Sequence, residues 1–324
     1  MDCGTLGPQR NAARDSRRGG GAGRPRLAAM SDALFGRLLT AMVTPMVPSG
    51  DLDPVGAAAV VQRLLETGHD GIVVNGTTGE SSTLTSAESI EMVRLVVAAA
   101  DGAARVVAGV GSNDTRHAVE MATLARDAGA DALLLVTPYY NRPPQAGVIA
   151  HCRAVADATD LPVMLYDIPS RSGIPFESET LVALAEHPNI VAVKDAKGDL
   201  WAATEVMAAT DLLWFSGADE VNLPLLALGA TGIVSVVGHV AGREYAAMLA
   251  AVAAGDLGTA QRIHASLIPI VKAIMHTSQG AIMAKAALVE LGVIASATVR
   301  LPYVMSPPEH LAKLRAALAA VSAV

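Results

Sequence analysis

The feature that most limits the fold of this chain is a pattern met eight times. A short apolar, β-rich block ends in a glycine, a proline or a polar group, and a helix-patterned segment follows. The blocks cover 38–43, 71–74, 105–110, 132–136, 163–166, 190–193, 212–215 and 232–236. Their starts recur roughly 20–35 residues apart, the length of a β-loop-α unit. Between them, residues 53–67 carry Val60, Val61, Leu64 and Leu65 at helical spacing, with Gly68 after them. Residues 86–100 do the same with Ile90, Val93 and Val97, and residues 115–128 with Val119 and Leu124 before Gly129.

Eight such units without a long central linker predict an α/β fold, a (β/α)8 TIM barrel over 34–257. The strands of a parallel barrel are covered on both faces, so they read as continuous apolar runs and not as alternating ones. After 257 the strands stop. Residues 258–296 and 308–322 are Ala- and Leu-rich and predict a small C-terminal helical extension over 258–324. An open doubly wound sheet is the competing architecture, but no G-x-G-x-x-G follows the first block.

Composition narrows the function. The 324 residues are 52% hydrophobic, ample for a large core. No apolar run approaches the roughly 18 residues of a membrane span. Residues 1–30 hold six Arg and two Asp, so the remainder carries eleven net negative charges against −7 for the chain. An acidic body argues against nucleic acid or an anionic membrane as partner. Residues 1–33 form a basic Gly/Arg-rich tail without periodicity, which predicts disorder. Arg17-Arg18 has no apolar segment after it, so export is not expected. Met30 is a candidate start, since the patterned sequence begins just after it. The two cysteines, Cys3 and Cys152, cannot build a disulfide framework or a thiolate metal cluster, which points to a reducing cytoplasm.

Active sites of such barrels lie at the carboxyl ends of the strands. There the sequence places an oddity: NIVAVKD at 189–195 runs an apolar strand straight into Lys194. One reading is a strand that ends at the surface with its ammonium in water. The other is an amine in a dry mouth, with its pKa lowered so that it attacks a ketone and forms an imine. The other block ends favour the second reading. They carry Asn75 with GTTGES at 76–81, TPYYNRP at 137–143, Tyr166 with DIPSR after it, Ser216-Gly217 and Ser235. Three of the five tyrosines, Tyr139, Tyr140 and Tyr166, fall there. A tyrosine beside the imine moves protons. GTTGES presents hydroxyls and backbone N–H groups suited to a carboxylate, or is simply a tight loop; it is no P-loop. Arg171 reads as a bidentate carboxylate clamp or as a solvated loop charge. Tyr139-Tyr140 also suits an oligomer contact. Asp195 and Lys197 read as structural or surface charges. No metal site or cofactor is called for.

GTTGES, TPYYNRP, LYDIPSRSG at 165–173 and VKDAKGD at 193–199, in this order, resemble the dihydrodipicolinate synthase family of pyruvate-dependent class I aldolases. The likeness runs from about Leu34 to the C-terminus. It implies condensation of pyruvate with L-aspartate 4-semialdehyde, the first committed step of diaminopimelate and lysine biosynthesis. It implies that Lys194 forms the imine and that Tyr166 transfers its protons. Thr77 and Tyr140 would complete a hydroxyl relay, Tyr140 coming from a neighbouring subunit of a homotetramer. Thr78 and the backbone at Val234 would hold the pyruvate carboxylate, and Arg171 the carboxylate of the semialdehyde.

The alternative is a sibling aldolase or dehydratase, such as an N-acetylneuraminate lyase-like or keto-deoxy-sugar enzyme. A barrel that only binds a keto acid is a third reading. Arg171 and the double threonine of GTTGE favour the synthase. Lys194-Asp-Ala-Lys-Gly stands where many members have Lys-Glu-Ala-Thr-Gly, and Ala218 replaces a frequent Asp. His117 stands where lysine-inhibited members carry an acid, and Ser86 and Ser89 where they carry histidines. The resemblance therefore implies weak or absent lysine feedback.

Overall fold

A computed structural model describes residues 34–321 of the chain. The tail expected to be disordered, 1–33, lies outside the described residues, as do 322–324.

All eight expected strands form: β1 (Leu38–Ala41), β2 (Gly71–Val74), β3 (Arg105–Gly109), β4 (Ala132–Val136), β5 (Val163–Asp167), β6 (Ile190–Asp195), β7 (Leu213–Ser216) and β8 (Gly232–Ser235). Each pairs in parallel with the next, and β8 pairs with β1 to close the barrel. Closure leaves no sheet edge unpaired. Helices α1 (Pro54–Glu66), α2 (Ser86–Ala100), α3 (Thr115–Asp127), α4 (Gln145–Asp157), α5 (Ser178–Leu184), α6 (Leu200–Ala209), α7 (Asn222–Leu228) and α8 (Gly238–Ala253) follow the strands in turn. Their starts are written locally. Asp53 caps α1 by accepting from the Gly56 N–H, with Pro54 at the first helical position. Thr85 and Glu88 form a reciprocal capping box on α2.

The continuous apolar strands split into two cores by alternation. Leu38, Ile72, Val74, Val163, Leu165, Ile190, Val193, Trp214 and Ile233 face the helices. Leu39, Ala41, Val73, Met164, Ala192, Leu213, Phe215 and Val234 fill the barrel interior. Successive strand residues point to opposite faces. In β6, Ala192 is inside and Val193 outside, so Lys194 comes next on the inside. Phe35, just before β1, is fully buried and meets the Phe215 ring edge-on at 5.8 Å.

Several boundaries differ from the sequence reading. The sixth strand runs to Asp195, so Lys194 lies within it and not beyond it; its partners are Tyr166 on β5 and Phe215 on β7. The first strand ends at Ala41, two residues before Val43. The fifth, seventh and eighth end one polar or acidic residue away from the apolar edge expected, at Asp167, Ser216 and Ser235.

The C-terminal segment holds helices, but 258–296 is not one helix. Helix α9 (Leu257–Ser266) is followed by one turn at Ile268–Val271 and a π-helical turn at Lys272–His276. The Gln279 side chain then accepts from Ala281 N–H and starts α10 (Gly280–Glu290) afresh. Gly292, at φ 69°, turns the chain after α10, and α11 (Pro308–Val321) ends the described residues.

Truncating Phe35→Ala removes the aromatic plug at the amino end of the barrel. It should cost about 3–5 kcal/mol, the scale of a buried Phe→Ala change. Urea unfolding measures this, and an unshifted midpoint would show that the plug is not part of the core.

Candidate active site

Register brings the chemistry together. Tyr166 and Lys194 are direct neighbours across β5 and β6, both facing the interior. The Lys194 Nζ lies 4.2 Å from the Tyr166 ring centroid. The lysine is only 4% exposed. Burial is the main reason that its pKa falls to about 7; the Arg171 charge lowers it further, and Asp219 pulls the other way. Near neutral pH a large fraction of this amine is therefore free base. Gly217, just past β7, sits against the lysine stem: a Cβ there would lie 2.8 Å from Lys194 Cγ. The absence of a side chain at 217 lets the lysine lie where it does.

Tyr166 is also buried, and burial raises its phenol pKa, opposed by the Arg171 charge and by the nearby Thr77 side chain. Thr77 opens the 3₁₀ turn Thr77–Gly79 after β2. That turn is fixed from below. The Thr44 hydroxyl donates to the Gly79 carbonyl at 2.7 Å, and a Cβ on Gly79 would come within 3.2 Å of the Met42 carbonyl. Thr78 is buried in the same turn. Val234 lies in the interior row of β8, opposite Leu39 of β1.

Arg171 lies in the one-turn helix Pro169–Ser172 after β5. It is exposed, yet its charge reaches both Lys194 and Tyr166. The Tyr140 N–H donates to the Ser172 carbonyl at 3.1 Å, tying the 137–143 loop to the Arg171 turn. Tyr140 adopts φ 71° and its side chain is 89% exposed. Within the chain its hydroxyl makes no hydrogen bond to Thr77 among the described residues.

Thr77, Tyr139, Tyr140, Tyr166 and Arg171 line one cavity of about 490 Å³, with Asn75, Ser81 and His117 on its far wall. Lys194, Thr78 and Val234 do not line it; Lys194 meets it through the Tyr166 ring. A small hollow of about 80 Å³ shares Asn75, Ser81 and His117 with the cavity and adds Ser86 and Ser89. Its lining holds hydroxyls, an amide and an imidazole, but no carboxylate. Asp195, read as a structural charge, is buried; it accepts from Lys197 N–H and from the Trp214 indole.

The sequence reading missed Asp219. It is 2% exposed and accepts from the Ser235 hydroxyl at 2.5 Å, Asn222 Nδ2 at 3.2 Å and the N–H groups of Val236 and Val237 at 3.0 and 3.1 Å. It thereby sets the turn at the end of β8. The available signal was an acid four residues past Phe215, ahead of the apolar run 223–228.

A closed parallel barrel with a buried, near-neutral lysine against a tyrosine at its carboxyl end has the architecture of a class I, Schiff-base aldolase-type lyase. The model of the dihydrodipicolinate synthetase family matches residues 34–321, and the chain belongs to that family. The chain is 57% identical to the 4-hydroxy-tetrahydrodipicolinate synthase of Kineococcus radiotolerans, over 88% of this chain and 92% of the relative. It is 53% identical to 4-hydroxy-tetrahydrodipicolinate synthase 2 of Streptomyces coelicolor, over 88% and 95%. Among solved structures, the lysine-bound enzyme of Cyanidioschyzon merolae superposes with a TM-score of 0.87 at 43% identity, covering 90% of this chain and 99% of that one. The chloride-inhibited dihydrodipicolinate synthase of Acinetobacter baumannii, complexed with pyruvate, gives 0.86 at 36% identity, covering 90% and 100%.

If the Lys194 amine titrates as its burial dictates, borohydride trapping of a 2-keto acid on the protein should rise with pH through a midpoint near 7. Only the free amine attacks. A midpoint near the unperturbed value of about 10.4 would place this amine in water.

Proposed function

We propose that Lys194 carries pyruvate as an imine and condenses it with L-aspartate 4-semialdehyde. The activity is that of a 4-hydroxy-tetrahydrodipicolinate synthase, a lyase of diaminopimelate and lysine biosynthesis. The observation that carries the residue assignment is the near-neutral Lys194 amine held on the Tyr166 ring. Curated relatives at 46–57% identity all bear the synthase name, which sets aside the sibling aldolases.

In this reading the free amine adds to the pyruvate ketone and water leaves, giving the imine. Tyr166 passes the protons of that step. Loss of a methyl proton then gives the enamine, which adds to the aldehyde carbon of the semialdehyde. The amino group of the same substrate attacks the imine carbon, and Lys194 departs as the ring closes. Thr77, which lines the same cavity as Tyr166, is the next member of the relay. Tyr140 completes it from a neighbouring subunit; its 89% exposure supports a role across an interface. Thr78 and the Val234 backbone take the pyruvate carboxylate. Arg171, at the cavity rim, takes that of the semialdehyde. The exposed Trp201 indole at the start of α6 supports a further contact between subunits and so a homotetramer. No helix among the described residues is long and apolar enough to cross a membrane, in keeping with a cytoplasmic enzyme.

Purified protein should consume pyruvate only when the semialdehyde is present. Lys194→Ala should remove nearly all turnover. Tyr166→Phe should keep the fold and slow turnover roughly 10²–10⁴-fold, the scale of a proton-transfer group. Near-normal turnover of the Tyr166 variant would assign the protons to another group.

L-Lysine should not inhibit at sub-millimolar concentration, because the hollow formed by Ser86, Ser89 and His117 offers its amino groups no carboxylate. A dose-response curve with a sub-millimolar midpoint would overturn this.

A further inference from the structure

The proton relay stands on a loop that the barrel strands do not hold alone. Glu80 closes the Thr77–Gly79 turn: its N–H donates to the Thr77 carbonyl at 3.1 Å, and its backbone takes the left-handed conformation, φ 57° and ψ 33°. A side-chain-bearing residue adopts that region at a cost, and it persists where surroundings over-determine it. Here the surroundings are ionic and come from far along the chain. The Glu80 side chain is wholly buried and pairs with the equally buried ammonium of Lys285 on α10. Lys285 also donates to the Thr298 carbonyl at 2.7 Å. The second Glu80 oxygen accepts from the Arg300 N–H at 3.0 Å. The Arg300 guanidinium then grips the same loop from outside, donating to the Thr83 carbonyl at 2.8 Å and pairing with Glu88 at the start of α2.

Among the described residues, both partners of the Glu80 carboxylate, Lys285 and Arg300, thus lie in the C-terminal segment and not in the barrel strands. A buried ion pair is weak evidence for stability, because desolvation offsets most of its attraction. This one is better explained by geometry. Three residues before Glu80 stands Thr77, which lines the same cavity as Tyr166.

We propose that Glu80 and Lys285 are positioning residues for proton transfer: clamped by Arg300 and Thr298, they hold the Thr77 hydroxyl in register with Tyr166. This rests on the imine reading of Lys194 given above. Neither residue touches substrate. Their loss should leave the equilibrium extent of the imine intact and slow the proton transfers, those of imine formation included.

Two readouts separate these effects in protein given pyruvate alone. Borohydride added after equilibration reports the extent of the imine. Exchange of pyruvate methyl protons in D₂O reports enamine formation. Wild-type protein should do both; if it does neither, the imine reading itself fails before the present one is reached. Glu80→Gln keeps the shape but turns a donor toward donors. It should trap pyruvate as the wild type does and exchange its methyl protons about 10²-fold more slowly, the scale of a reacting group misplaced by about 1 Å. In a Thr77→Val background the same change should cost no further rate, since the group being positioned is gone. The double variant Glu80→Leu/Lys285→Met replaces the pair by apolar side chains, an exchange that often preserves stability. It should melt near the wild-type temperature and show the same selective loss. Exchange at the wild-type rate in Glu80→Gln, or equal loss of trapping and exchange, would overturn the proposal and leave the pair a fold-stabilising contact.

Discussion

Burying the Lys194 amine is unfavourable in its charged form, and the barrel meets this by lowering the amine's pKa rather than by giving it an ion-pair partner. The nearest acid that acts on it, Asp219, has its oxygens taken up by Ser235, Asn222 and two backbone N–H groups. Its field opposes the loss of the proton without cancelling it. Among the described residues the amine lies over one ring, that of Tyr166, itself kept in its protonated form by burial. Nucleophile and proton carrier are therefore prepared by one cause, the exclusion of water from the inner row of a parallel barrel. Strand pairing on both sides of β6 makes that row rigid, as a precise constellation requires.

The mouth divides into parts of different stiffness. Tyr166 and Lys194 ride on strands whose backbone is bonded to two neighbours. Thr77, Tyr140 and Arg171 ride on turns, each secured by a separate device: a carbonyl held by Thr44, a backbone bond to Ser172, a one-turn helix begun by Pro169. Chemistry that is common to imine-forming enzymes sits on the stiff part. Recognition of a second substrate falls to the turns, where sequence can change without disturbing the barrel.

Much of this was legible in the sequence because it is local. The eight apolar blocks, the helical spacing of the segments after them, and the incongruous lysine in NIVAVKD are each read within a window of a few residues. The extent of β6 was not, because apolar character stops at Val193 while backbone pairing continues to Asp195 with partners set by β5 and β7. Asp219 was passed over for a related reason. An acid in a loop after a strand reads as solvated, and only the return of β8 supplies three of the four donors that bury it. The helical composition of 258–296 likewise concealed its breaks, since Gln279 starts a new helix through its side chain and not through any loss of helix-forming residues. Glu80 sits in a motif noticed for its hydroxyls, while its partners lie some two hundred positions away.

That last distance has a temporal meaning. A ribosome adds roughly 5–20 residues per second, so Arg300 leaves it about 10–45 s after Glu80. Throughout that interval the strands of the barrel can already be paired while the carboxylate beneath the catalytic turn has no cation to meet. A nascent or prematurely terminated chain that stops short of α10 would thus resemble the finished barrel in its sheet and lack the cation that pairs with Glu80. The late-arriving anchor thus makes synthesis through Arg300 a condition for competence of the site.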